Sequence, residues 1–423
     1  MRATKTLAIA FAAAFALTGA ARAATTVTIQ YPYGELFNET HKQIVTAFEK
    51  TNPGIKVTLR APYESYEDGT QKVLREAITG QMPDITFQGL NRLRILVDRG
   101  IAVGLGKYIE AEKDFEAEGF HQAMFDIGTM NGDVYGVPFA ISLPVAYYNL
   151  DLVKKAGGDP AKLPTSWDEV FALSAKIDAL GADVNGMSYA WNITGNWLFQ
   201  APVFSQGGTM LNANETRVAF DGPEGQWAMT QLARMVTAGK MPDYRESDLR
   251  ATFAAGKTGI HFTSTSDLAK ITGMIGGKFA LKTAKFPDVK PGIGRLPAGG
   301  NLAIILAKDE AQRKAAWQVL KFWTGPEGAA IVARTTGYMP PNKKANEVYL
   351  KDFYVKNPNN YTAVTQLPLL TKWYAFLGEN GLKITDVIKD HMQSIVNGSR
   401  AKEPVAVLKE MAADVQGLLP KKN

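Results

Sequence analysis

Apolar positions along the chain change period repeatedly, and each change marks an element. Val27, Ile29 and Tyr31 alternate with Thr28 and Gln30 as a strand, broken by Pro32 and Gly34. Leu36, Phe37, Ile44, Val45 and Phe48 then recur at helical spacing, and Asn52-Pro53-Gly54 ends that helix. Residues 55–59 alternate as a second strand, 66–78 read as a helix, 82–87 as a third strand and 93–97 as a short helix. Strand and helix in this alternation predict a parallel α/β sheet with right-handed crossovers.

Residues 136–149 are apolar and interrupted by Pro138 and Pro144. Proline cannot donate to a sheet ladder, so these two belong at an edge or an entrance. The stretch reads as a strand crossing between two lobes, and its polar end at Asn149-Leu150-Asp151 is where a cleft would be lined. From 151 to 294 the pattern is mostly helical, with a cap at Thr165 or Ser166 followed by acid in the first turn. Trp191 and Trp197 flank a short Asn/Thr/Gly loop after a strand at 186–191, and at least one is expected to face the cleft.

Gly256-Lys257-Thr258 has the look of a phosphate loop, but Ala251 stands where the first glycine is needed and no parallel strand leads in. A helix stopping at Gly256 and a strand restarting at Ile260 fits better. The hydroxyl run from Thr263 to Ser266, with Asp267, then leads into a helix and offers groups to a ligand oxygen or to the helix end. Residues 302–306 read as a return strand, and 312–323 as an amphipathic helix closed by Gly325-Pro326. The turn 336–341 would hold Tyr338 fixed. Two apolar helical stripes, at 384–396 and 407–418, pack the last lobe.

The N-terminus changes the picture of where the chain works. Arg2 and Lys5 precede an apolar run at 7–17 and Ala21-Arg22-Ala23, the pattern of a cleaved export signal. The run is too short to span a membrane, which takes about 20 residues. Formal net charge is +6, of which Arg2, Lys5 and Arg22 supply three, leaving +3 on the mature chain. That excess is small and scattered, so no nucleic-acid partner is expected. With no cysteine, thiol catalysis and cysteine metal sites are excluded, and an exported chain without disulfides points to a bacterial periplasm. A mature length of about 400 residues exceeds one comfortable core and implies two lobes.

Loops at the carboxyl ends of parallel strands are where open α/β sheets bind ligands. Here they present Tyr31, Tyr33, Glu35, Tyr63, Tyr66, Gln88 and Asn91. Rings and uncharged hydrogen-bonding groups suit a polyhydroxylated ligand, whose hydroxyls need partners and whose C–H faces stack. The four histidines are scattered and neither a HExxH nor a Gly-x-Ser-x-Gly motif occurs, nor any calcium loop. A glycan-cleaving enzyme using two carboxylates stays open as an alternative.

Several short motifs then occur in a telling order: Phe48-Glu49-Lys50-Thr51-Asn52-Pro53-Gly54-Ile55-Lys56-Val57, Met82-Pro83-Asp84-Ile85, Gly136-Val137-Pro138-Phe139 with Tyr147-Tyr148-Asn149, Leu163-Pro164-Thr165-Ser166-Trp167-Asp168-Glu169, Phe253-Ala254-Ala255-Gly256-Lys257 and Thr336-Gly337-Tyr338-Met339-Pro340. In this order the chain resembles the extracellular solute-binding proteins of family 1, receptors of ATP-binding-cassette importers for sugars and polyols, and within them the glycerol-3-phosphate-binding proteins. The resemblance implies an α/β type II periplasmic-binding-protein clamshell, each lobe a mainly parallel sheet flanked by helices and joined by hinge strands. It sets one lobe at residues 24–138 and about 295–337, the other at about 139–294 and 338–423. It further implies a monomer delivering its ligand to a membrane permease, with no cofactor and no metal.

Carried over by motif, the ligand-binding set is Tyr66, Ser142, Trp191, Trp197, Ser264, Ser266, Gly300 and Tyr338, joined by Tyr31 and Gln88 from the strand ends. Glu35, Asn91 and Lys383 are secondary candidates. Where the glycerol-3-phosphate receptors place a phosphate-contacting arginine, the alignment puts Thr385 here. Threonine cannot replace the bidentate fork of a guanidinium, so a neutral carbohydrate or polyol is the expected ligand and a phosphorylated polyol the alternative.

Overall fold

The computed structural model describes residues 24–421; the export signal read in residues 1–23 lies outside them. The first lobe opens with β1 (Thr25–Gln30), α1 (Gly34–Thr51), β2 (Ile55–Leu59), α2 (Tyr66–Thr79), β3 (Ile85–Gly89) and α3 (Leu93–Asp98). β4 (Val137–Ser142) follows, and after Leu143 the chain enters the second lobe as β5 (Pro144–Asn149). That lobe is built from α4 (Trp167–Asp178), β6 (Asn185–Tyr189), α5 (Trp197–Ser205), α6 (Pro223–Thr237), α7 (Glu246–Ala254), β7 (Thr258–Ser264), α8 (Leu268–Ile275) and β8 (Leu281–Lys285). β9 (Gly299–Ile305) returns to the first lobe with α9 (Glu310–Thr324) and α10 (Pro326–Thr335). α11 (Gly381–Val396) and α12 (Pro404–Leu418) then pack on α6 of the second lobe.

The first sheet runs β2-β1-β3-β9-β4 and the second β8-β5-β7-β6. β1 is parallel to β2 and β3, as the alternation predicts. Both sheets are mainly parallel as expected, with one crossing strand reversed in each: β9 is antiparallel to β3 and β4, and β5 to β7 and β8, while β6 and β7 pair in parallel. The crossing strands β5 and β9 enter each sheet from the other lobe, against the direction of their neighbours. The two prolines sit where missing donors cost least. Pro138 is on the edge strand β4, and Pro144 is the first residue of β5.

Sheet membership places the outward crossing at Leu143 rather than after residue 138. The apolar run is continuous through both strands, so no polar residue marks the change. On the return, Leu296–Pro297 pairs with Leu370–Thr371 before β9 begins. Between β4 and β9 the register slips at Phe139, because Asn301 faces Ala140 and Leu302 faces Pro138. A bulge of this kind re-aims the strand end beside a site.

Local signals are met. The Ser166 side chain accepts from Glu169 N and the Glu169 carboxylate reaches back, a full capping box. α7 ends at Ala254, and Gly256 at φ +81 turns the chain into β7, as the rejected phosphate loop required. In the first-lobe core, Phe37, His41, Phe87 and Phe139 pack ring on ring. Burial holds the His41 imidazole neutral, with its pKa lowered to about 3. Among the described residues no helix is long and apolar enough to cross a membrane.

Candidate functional site

A cleft of about 660 Å³ lies where both crossings pass between the lobes. The first lobe contributes Tyr33, Glu35, Leu36, Tyr66 and Glu67; the crossings contribute Ser142, Gly299 and Gly300. The second lobe contributes Ile193, Thr194, Trp197, Ser264, Ser266 and Asp267, with Glu246 and Arg250 behind them. Tyr338 and Trp373 complete the walls.

Each wall is positioned by identifiable bonds. Tyr338 is carried by a two-way backbone bridge in which Ile141 N donates to Met339 O at 3.0 Å and Met339 N to Ile141 O at 2.8 Å. Its ring stacks on Phe37 at 5.4 Å. Tyr66, the first residue of α2, meets Tyr33 edge to face at 5.0 Å and accepts from Asn301 Nδ2 at 3.3 Å. Burial pushes the pKa of both Tyr66 and Tyr338 up, so their hydroxyls stay protonated and able to donate. Tyr33 holds a left-handed backbone at φ 51 just before α1, a conformation uncommon for a side chain of its size.

The hydroxyl run at the end of β7 is tied to the crossing. Thr265 N donates to Leu143 O at 3.1 Å and Leu143 N to Thr265 Oγ1 at 3.2 Å, which brings Ser264 beside Pro144 and close to Ser142. Ser266 Oγ donates to Ser264 Oγ at 2.8 Å. The helix that opens with Trp197 also carries Gln200, whose amide clamps the backbone of Tyr374 at 2.9 and 3.1 Å. This clamp sets Trp373 beside Trp197, ring centroids 6.4 Å apart. Both indole N–H groups are buried without a partner, and so is Asn301 Oδ1. Buried polar groups are nearly always bonded, so orphans gathered at a cleft mark where a ligand or water is to bond.

The charges here are mostly committed. Arg250 bridges Glu246 at 3.2 Å and Asp267 at 3.1 Å, and burial raises the pKa of both carboxyls. Lys270 reaches across the lips to Glu35 at 3.8 Å, and Glu67 is paired with Arg92. Both cations that line the cleft thus face carboxylates.

Of the residues expected from sequence, Tyr66, Ser142, Trp197, Ser264, Ser266, Gly300, Tyr338 and Glu35 come together around this cleft. Others do not. Tyr31 is buried, its ring 3.9 Å from His41 and its hydroxyl donating to Asn38 Oδ1 at 2.7 Å. Gln88 is buried between Thr70 and Thr86, which hold both ends of its amide. Tyr63 packs in the core. Trp191, two residues past the end of β6, is buried and does not line the cleft. Asn91 and Thr385 line an adjoining groove along α3 that shares Glu67 with the cleft, and Lys383 is exposed outside both. Ile141 faces the far side of the crossing, in a cavity of about 1120 Å³, because neighbours on a strand point opposite ways. Sequence reading passed over Trp373, Thr194, Glu246, Arg250, Lys270 and Gly299. Trp373 follows an irregular Leu-Pro-Leu-Leu segment with no periodicity, so no pattern placed it.

A family model described as bacterial extracellular solute-binding protein matches residues 43–362. The sn-glycerol-3-phosphate-binding periplasmic protein UgpB of Escherichia coli (strain K12) is 25% identical over 419 residues, covering 93% of each chain. Among solved structures, UgpB from Mycobacterium tuberculosis in complex with glycerophosphocholine superposes with a TM-score of 0.79 at 23% identity, over 92% of this chain and 98% of that one. The sugar-binding protein MalE from Xanthomonas citri also reaches 0.79, at 20% identity over 93% and 97%. The shared fold is the type II periplasmic-binding-protein clamshell.

Proposed function

Because this chain belongs to the bacterial extracellular solute-binding protein family, we propose that it is the receptor of an ATP-binding-cassette importer for a neutral carbohydrate or polyol. The ligand is held between the lobes, and the closed form is presented to membrane permease subunits. The observation that carries the ligand class is the make-up of the cleft. Rings of Tyr33, Tyr66, Tyr338, Trp197 and Trp373 line the cleft with hydroxyls of Ser142, Ser264 and Ser266, while Arg250 is ion-paired to Glu246 and Asp267 and Lys270 faces Glu35 at 3.8 Å. Aromatic faces take sugar C–H surfaces, and hydroxyls, indole N–H groups and carboxylates take sugar hydroxyls. A phosphate dianion would need an unengaged fork or ammonium group.

The names of the relatives favour a second reading, a phosphorylated polyol such as glycerol 3-phosphate. Mass spectrometry of small molecules released from freshly purified protein separates the two. A neutral polyhydroxylated compound supports the first reading, and a phosphorylated one overturns it. The protein acts as a receptor and not an enzyme on this account; incubation with oligosaccharides should produce no new reducing ends.

Ligand binding shifts an equilibrium between open and closed lobes, since only the closed form offers contacts from both sides. At a ligand concentration one hundred times Kd the folded protein gains about 2.7 kcal/mol against unfolding. A thermal-shift screen would register that gain.

A further inference from the structure

Outside the ligand cleft, Arg94 of α3 in the first lobe meets Glu215, in a turn of the second lobe. The guanidinium forks onto the carboxylate, Nη1 to Oε2 at 3.1 Å and Nη2 to Oε1 at 2.9 Å. Tyr374 Oη donates to the same Oε1 at 2.9 Å. Glu215 is held at φ 55, a left-handed backbone that a glutamate adopts only under constraint. The constraint is visible: Asn212 caps the turn through Thr216 N at 2.9 Å, and Gln416 of α12 bonds Thr216 O at 3.0 Å. Glu215 is thus fixed to its lobe and aimed at the other.

We infer that the Arg94–Glu215–Tyr374 cluster is a closing latch that also positions Trp373. Arg94 and Glu215 come from different lobes, so opening the cleft separates them. Tyr374 follows Trp373 directly in the chain, so the contact that closes the lobes also fixes the indole that walls the cleft. Both ionic partners are about seven-tenths buried, at 29% and 28% side-chain exposure, which places the pair between a surface bridge and an interior one. The forked geometry raises it above an ordinary surface pair. The lip pair Glu35–Lys270 spans the same gap at 3.8 Å between exposed side chains and contributes less. None of Arg94, Glu215 and Tyr374 lines the ligand cleft, so the inference concerns closure and stands whichever ligand is bound.

The test uses the absence of cysteine in the chain. Lys42→Cys on α1 and Thr272→Cys on α8, both exposed and on the two helices whose Glu35 and Lys270 meet across the cleft, accept spin labels for a distance measurement. Distances are recorded in protein as purified and after ligand is stripped by unfolding and refolding. Arg94→Glu or Glu215→Arg alone, and Arg94→Met, should each move the open-to-closed ratio about fivefold towards open. The charge-swapped double variant should restore the closed population, which a merely packing role would not do. Circular dichroism melting verifies that each variant folds. Unchanged distances in both states, or a double variant as open as the singles, would overturn the latch.

Discussion

At Gly300 the return crossing passes close to the outward one, and replacing it should cost more than replacing a positive-φ glycine in open space. Its φ is +104, and a methyl there would overlap the Ala140 carbonyl oxygen and approach the Tyr338 ring to 3.2 Å. Gly277 has φ +81 with nothing within 4 Å of an added Cβ. Alanine at either position is strained by its positive φ, at a cost of at least about 1–2 kcal/mol. Only at Gly300 does forced separation of β4 and β9 add about 1–3 kcal/mol. Gly300→Ala should therefore lose about 2–5 kcal/mol and Gly277→Ala about 1–2 kcal/mol. Urea unfolding followed by circular dichroism reads the difference as a shift in midpoint at unchanged slope. Equal losses in the two variants would refute the idea that close strand approach, rather than backbone conformation alone, demands glycine at the hinge.

Trp197→Ala should weaken binding of whichever neutral sugar stabilises the protein by at least about tenfold, or ~1.4 kcal/mol. Trp191→Ala should lower the melting temperature and leave that affinity within about twofold, a change under 0.5 kcal/mol; calorimetric titration of both variants checks the contrast. His41 and His261 both contribute to the pH dependence, each with its native pKa lowered to about 3 from 6.5 by burial. Below 6.5 the unfolded chain takes up a proton that the native imidazole refuses until about 3, so stability falls as pH drops through that window. His41→Gln, which keeps an acceptor for Trp323 Nε1, should lessen the fall in melting temperature, His261 supplying the remainder; an identical profile would contradict the assignment.

Much of the fold was legible because periodicity reports burial directly. The β1–α1–β2–α2–β3 run, the capping box at Ser166 and the turn at Gly256 all follow from local rules. What periodicity does not report is which lobe a buried side chain faces. Tyr31, Gln88 and Trp191 sit at or just past strand ends where ligand contacts are expected, yet each is buried and none lines the cleft. Ser142 and Ile141 differ by one residue and face opposite sides of the crossing. The Arg250 cluster and Trp373 reach the cleft only through contacts such as Gln200 with Tyr374, 174 residues apart, which leave no local trace.

The ligand class rests on a cleft whose cations are already engaged, and one measurement addresses it. Isothermal titration of ligand-stripped protein with neutral sugars and polyols, beside glycerol 3-phosphate, compares the two chemistries in a single cleft. The account predicts heat with at least one neutral compound, abolished in Trp197→Ala, and none with glycerol 3-phosphate. Tighter binding of glycerol 3-phosphate than of every neutral compound would contradict it.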